Sequence, residues 1–250
     1  MNILSQLGTY LTDTTHWSGQ DGIPMRVLEH LEYTGLALLI AVVIALPIGL
    51  LIGHTNKGAT WVIALGNASR SLPTLGLLTP TVLLAGLGLV PVLVALVILA
   101  VPPILTSTYA GIRNVEPSIT DAARGVGMKE LQGLLQAELP SSAPLIISGI
   151  RSATLQMVAT ATVAAYVAPG GLGRLLVDGL ASLDYAQMLS GAVLVAALAL
   201  AVDGVLALVQ RLVVSDGLTG RASRAGTASD TTETSPDGLP SPASERTALS

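Results

Sequence analysis

Four polar side chains recur at every fourth position, Ser148, Ser152, Gln156 and Thr160, and Tyr166 follows close behind. That spacing keeps them on one slowly winding stripe of a helix. Polar groups of this kind face protein or water rather than lipid. Hydrogen bonding between helices and contact with a passing solute would both use such a stripe. Asp203 is the one acid inside an otherwise apolar run. A carboxylate so placed is a candidate proton site, although near the end of its run a partner or water would satisfy it. His16, His30 and His54 are scattered, and no His or carboxylate pair has metal or catalytic spacing. Cysteine is absent, which removes thiolate chemistry and disulfides. No G-x-x-x-x-G-K-[ST] run is present, so ATP hydrolysis would have to come from another chain. The residue types exclude a metal, a cofactor and an active site, and leave a polar path in apolar surroundings.

The elements that would hold this path follow from the distribution of charge. Of 250 residues 51% are hydrophobic and only 11% charged. The mean hydropathy is +0.68, which places the chain among integral membrane proteins. The net charge of −4 includes no Lys/Arg block of the kind that binds nucleic acid. The first thirty residues carry Asp13, Asp21, Arg26 and Glu29 and do not have the pattern of a signal peptide. A bilayer-spanning helix needs roughly 20 apolar residues. Runs of that kind predict five spans, at about 33–53, 60–86, 91–110, 146–168 and 186–209, within a domain covering 31–212. Residues 1–30 form an N-terminal segment ahead of them.

Prolines and glycines punctuate these spans. Pro73, followed by Thr74, and Pro80 should interrupt the hydrogen-bond ladder of the second span. Carbonyls freed inside a bilayer are tolerated only against protein or a water-filled cavity. The run "APGGLGR", Ala168 to Arg174, is suited to ending a helix, and the same backbone freedom would permit close contact with cargo. Beyond residue 213 the chain is rich in Ser, Thr, Gly and Pro, and 213–250 is expected to be a disordered tail.

Cytoplasmic connections retain Lys and Arg. With five spans, one side would hold Lys57, Arg113, Arg124, Lys129, Arg211, Arg221, Arg224 and Arg246, and the other only Arg26 and Arg174. This places the N-terminus outside and the C-terminus in the cytoplasm. The segment 113–140 then becomes a cytoplasmic loop. Within it Pro117 can occupy a first helical turn, after which Ile119, Ala122, Ala123 and Val126 share one narrow apolar face. Gly125 and Gly127 permit a sharp turn, and a second stripe through Leu131, Leu134 and Leu135 should end at Leu139–Pro140. Such a unit could lie on the membrane surface or dock into a groove of another protein.

The same loop resembles the cytoplasmic signature of ABC importer permeases: E-A-A, three residues, G, nine residues, then I-x-L-P. Here it reads Asp121-Ala122-Ala123, Gly127, and Ala137-Glu138-Leu139-Pro140. Asp stands for the Glu and Ala for the Ile. "ASRSLPTLGLL", Ala68 to Leu78, and "TATVAAYVAPGGLGRLL", Thr160 to Leu176, are similar to permeases for glycine betaine, carnitine, choline and related osmoprotectants; methionine permeases share the Gly-rich turn.

The resemblance implies an all-α, polytopic membrane bundle of type I ABC importer permease form, with about five transmembrane helices and a cytoplasmic coupling helix, in a bacterial inner membrane. It implies an ABC ATPase subunit, an extracytoplasmic substrate-binding protein and a second permease chain, the same or homologous, as partners. Coupling to the ATPase would fall to Ile119, Asp121, Ala122, Ala123, Arg124, Gly127, Leu139 and Pro140. The translocation path would involve Pro73, Thr74, Ser152, Gln156, Thr160 and Tyr166. The rivals are a permease for another small solute, a proton-coupled secondary transporter using Asp203, and a membrane scaffold that transports nothing.

Overall fold

The computed structural model describes residues 3–71 and 73–213, and every regular element among them is helical. A short helix α1 (Ile3–Thr12) and a 3₁₀ turn (Thr14–Trp17) lead to the long α2 (Ile23–Thr55). Then come α3 (Ala59–Ser71), α4 (Thr74–Ala85) and α5 (Leu89–Arg113). A hairpin follows, made of α6 (Pro117–Gly125), α7 (Glu130–Gly133) and a π turn (Leu134–Glu138) that runs into α8 (Leu139–Ala164). The described chain closes with α9 (Gly173–Ser182) and α10 (Tyr185–Val213). Residues 214–250, which hold nearly all of the expected tail, lie outside the described residues.

By length and composition α2, α5 and α10 can each cross a membrane. Helix α5 is the axis of the bundle, packed against α2 on one side and α8 on another. The α2 face towards it is a ladder of small residues spaced by four: Ala37, Ala41, Ala45, Gly49 and Gly53 are all buried. Small residues at this spacing let two helix backbones approach closely, which is how membrane helices gain packing energy without a hydrophobic drive. A Cβ added at Gly49 would lie 2.7 Å from Thr108 Cβ of α5. The opposite α2 face, with Leu39, Val43 and Leu51, is exposed, as a lipid-facing surface requires.

Three features depart from the expected boundaries. Helix α2 begins at Ile23 rather than near Tyr33, and so carries Arg26, Glu29 and His30 as helical residues. The second span is two helices, because Pro73 is the N-cap of α4 and its φ of −72° and ψ of 130° are extended. Pro80, by contrast, lies inside α4 without ending it. The stripe expected to stop at Leu139–Pro140 continues into α8. A proline ring is tolerated in the first turn of a helix, and the π turn just before it widens the backbone where the ring would meet preceding carbonyls.

Candidate functional site

Helices α3, α5 and α8 diverge around a cleft of about 460 Å³. Its polar lining comes from Asn67 and Ser69 of α3, Thr106 and Ser107 of α5, and Ser152 and Gln156 of α8. The apolar part includes Val62, Ile63 and Pro103, and Tyr109 is its aromatic member. None of these side chains is ionisable near neutral pH. The cleft's shape depends on Gly149. A Cβ there would lie 2.1 Å from Ser107 Cβ, so only glycine lets α8 and α5 approach closely at the cleft wall. The consecutive Pro102 and Pro103 leave α5 carbonyls without helical donors. The Thr106 hydroxyl bonds back to the carbonyls of Pro102 and Pro103, at 2.9 and 3.1 Å.

Of the residues expected to line a path, Ser152 and Gln156 meet in this cleft. Thr160 is instead buried in the bundle at 8% exposure. Tyr166 borders a separate apolar cleft of about 310 Å³ with Leu78, Val82 and Val167. Pro73 and Thr74 sit at the α3–α4 break, and neither contributes to the polar cleft. Asn67, Thr106 and Ser107 were not anticipated.

Asp203 of α10 is paired with Arg151 of α8. Nε donates to Oδ1 at 2.5 Å and Nη2 to Oδ2 at 2.6 Å. This two-pronged geometry fixes α10 against α8 and commits the carboxylate to a guanidinium. A proton site would need it available.

The hairpin carries the signature residues. Gly127 turns the chain between α6 and α7 with φ +83°, a conformation that favours glycine. Asp121, Ala122 and Arg124 are exposed on α6, and Ile119 is half-buried. Ala123 is buried, facing Met128 and Gly133 of its own hairpin rather than outward. The exposed apolar surface includes Ala122, Val126, Leu131 and Leu135, with Val126 75% and Leu131 65% exposed. Leu139 and Pro140 form the first turn of α8.

At the N-terminal end of α2 a polar cluster grips the "PGG" turn. Arg26 Nη1 donates to the Pro169 carbonyl at 3.2 Å, and the Gly171 N–H donates to Glu29 Oε2 at 2.7 Å. His30, fully buried, donates from Nε2 to the Val158 carbonyl at 3.0 Å.

A helical membrane bundle with a polar cleft and a glycine-turned hairpin defines a solute permease in form. The profile of the family described as binding-protein-dependent transport system inner membrane component matches residues 45–215. The chain belongs to that family. It is 35% identical over 193 residues to the choline transport system permease protein OpuBB of Bacillus subtilis, a match covering 77% of this chain and 89% of that one. It is 36% identical over 192 residues to the glycine betaine/carnitine/choline transport system permease protein OpuCB of the same organism, covering 77% and 88%. Among solved structures, an inward-facing MetNI methionine ABC transporter superposes with a TM-score of 0.67 at 24% identity, covering 75% of this chain and 94% of that chain, so the two share a fold.

Proposed function

We propose that this chain is the permease of an ABC importer for quaternary-ammonium osmoprotectants of the choline, betaine and carnitine class. It would work with an ATPase at the hairpin and an extracytoplasmic binding protein at the opposite face. The N-terminus is then outside and the C-terminus in the cytoplasm, in keeping with the Lys/Arg asymmetry. A second copy or a homologous permease completes the translocation path.

The observation that carries this reading is the uncharged polar cleft between α3, α5 and α8. A quaternary ammonium donates no hydrogen bonds and is held strongly only by several aromatic faces around the cation. Tyr109 alone cannot build such a cage, and the chain has no Phe at all. Hydroxyl and amide groups offer instead a weak, hydrated track on which such a cation, or the carboxylate of a betaine, is not retained. Selection of cargo then belongs to the binding protein. The cargo named for the two Bacillus relatives agrees with this chemistry. Vesicles holding the chain with its ATPase and binding protein should take up labelled choline or glycine betaine only with internal or external ATP at the ATPase side. Purified permease alone should bind either solute no tighter than about millimolar. Uptake driven by a proton gradient without ATP would contradict the proposal.

A further inference from the structure

The last turn of α2 turns His54 towards the hairpin. Its Nδ1 lies 2.9 Å from Glu138 Oε2 and 3.0 Å from Oε1, and its Nε2 lies 3.1 Å from Glu130 Oε2. A ring nitrogen that carries its proton donates to the carboxylate it faces, which accepts. The two nitrogens point away from each other, and their carboxylates do not converge on a shared metal position. Arg124 Nη2, from α6, stands 3.8 Å from the same Glu130 oxygen. One imidazole from α2 thus reaches both the start of α7 and the π turn, and through Glu130 approaches α6.

Burial distinguishes this cluster from a surface ion pair. The His54 side chain is 16% exposed and that of Glu138 10%. A carboxylate so enclosed is costly to leave without a partner. The π turn at Leu134–Glu138 carries Glu138 at its last position, and π turns often mark places where a helix re-aims a side chain for use. From His54 the contact continues into the bundle. Gly53 packs against Ile112 of α5 and Gly49 against Thr108, which directly follows Thr106 and Ser107 of the cleft wall.

We infer that His54 is a positioning residue that ties the hairpin to α2, so that displacement of the hairpin by the ATPase moves α2 against α5 and thereby the cleft. The inference rests on the transport function proposed above. It is tested on the full chain by two readings, amide hydrogen exchange in lipid nanodiscs and uptake of choline per ATP hydrolysed in vesicles containing the ATPase and binding protein. In His54→Ala, amides of 118–138 should exchange at least roughly tenfold faster, the factor that losing even one hydrogen bond to a carboxylate gives, while those of α5 stay protected. Uptake per ATP should fall several-fold with hydrolysis retained. His54→Arg, whose guanidinium can donate to both carboxylates, should restore both readings towards the native values. Should α5 lose protection in His54→Ala, Glu130→Gln replaces it, because that side chain is 70% exposed and its loss leaves the core intact. Unchanged exchange in 118–138 overturns the inference, and so does faster exchange with unchanged uptake per ATP. Wild-type vesicles without ATP-driven uptake would overturn the transport function, while the exchange reading would still decide whether His54 holds the hairpin.

Discussion

The two ends of α2 are both anchored by polar clusters, yet they are built from different atoms. At the Gly171 end Arg26 and Glu29 bind main-chain groups, the Pro169 carbonyl and the Gly171 N–H. At the other end His54 binds two side-chain carboxylates, Glu130 and Glu138. A main-chain partner has no rotamers and no charge to lose, so the first anchor is fixed as long as the turn keeps its shape. Side-chain partners can swing away and re-form. One end is therefore suited to holding a mouth in place and the other to following a moving partner.

The largest effect should come from breaking the main-chain anchor. Gly171 has φ +84° and lies against His30, where an added Cβ would be 3.4 Å from Nδ1. Gly171→Val should cost about 3 kcal/mol, because a β-branched residue is strained at positive φ and the Glu29 contact is displaced with the turn. Thermal unfolding in nanodiscs reads this, and a shift too small to measure would show that the turn is free to change. Glu29→Gln should cost less, about 2 kcal/mol. It keeps the shape but gives up the charge that faces the Gly171 N–H and Arg26. If instead this variant left stability unchanged and altered uptake per ATP, the contrast between a fixed and a moving end would be reversed.

Much of the bundle was legible because charge-free runs mark helices, and because Pro73 could be read as a break. The start of α2 was not. Arg26, Glu29 and Glu32 look like residues outside a span; Arg26 pairs locally with Asp21 and Glu29, but the contacts of Arg26 and Glu29 with the distant "PGG" turn leave no local pattern. The polar stripe on α8 is divided between cleft and core for a geometric reason. Four residues advance a helix by about 40° beyond a full turn, so between Ser148 and Thr160 the stripe rotates about 120°. Ser152 and Gln156 fall in the cleft, whereas Ser148 precedes it and Thr160 has wound into the core. Asn67 stands between Gly66 and Ala68, and Thr106 and Ser107 belong to the short run Thr106-Ser107-Thr108; neither gives a periodic signal. The spacing of the hairpin was plain in the sequence, but which alanine faces outward was not. Ala123 packs inward and Ala122 faces out, so a bulky residue at Ala123 would disturb the hairpin itself before any partner met it. Nothing in the sequence linked His54 to Glu138, since contacts so far apart along the chain leave no local pattern.

The claim that cargo moves along the cleft of α3, α5 and α8 can be tested most directly with introduced thiols. The native chain has no cysteine, so a single substitution supplies the only reactive group. Ser152→Cys and Gln156→Cys should react with a trimethylammonium-bearing methanethiosulfonate, itself a quaternary cation, and choline or glycine betaine supplied during turnover should slow the reaction. Leu39→Cys, on the exposed apolar face of α2, should stay unmodified in the bilayer. Equal labelling at Leu39 and Ser152, or labelling at Ser152 and Gln156 that no cargo slows, would contradict the cleft as the path.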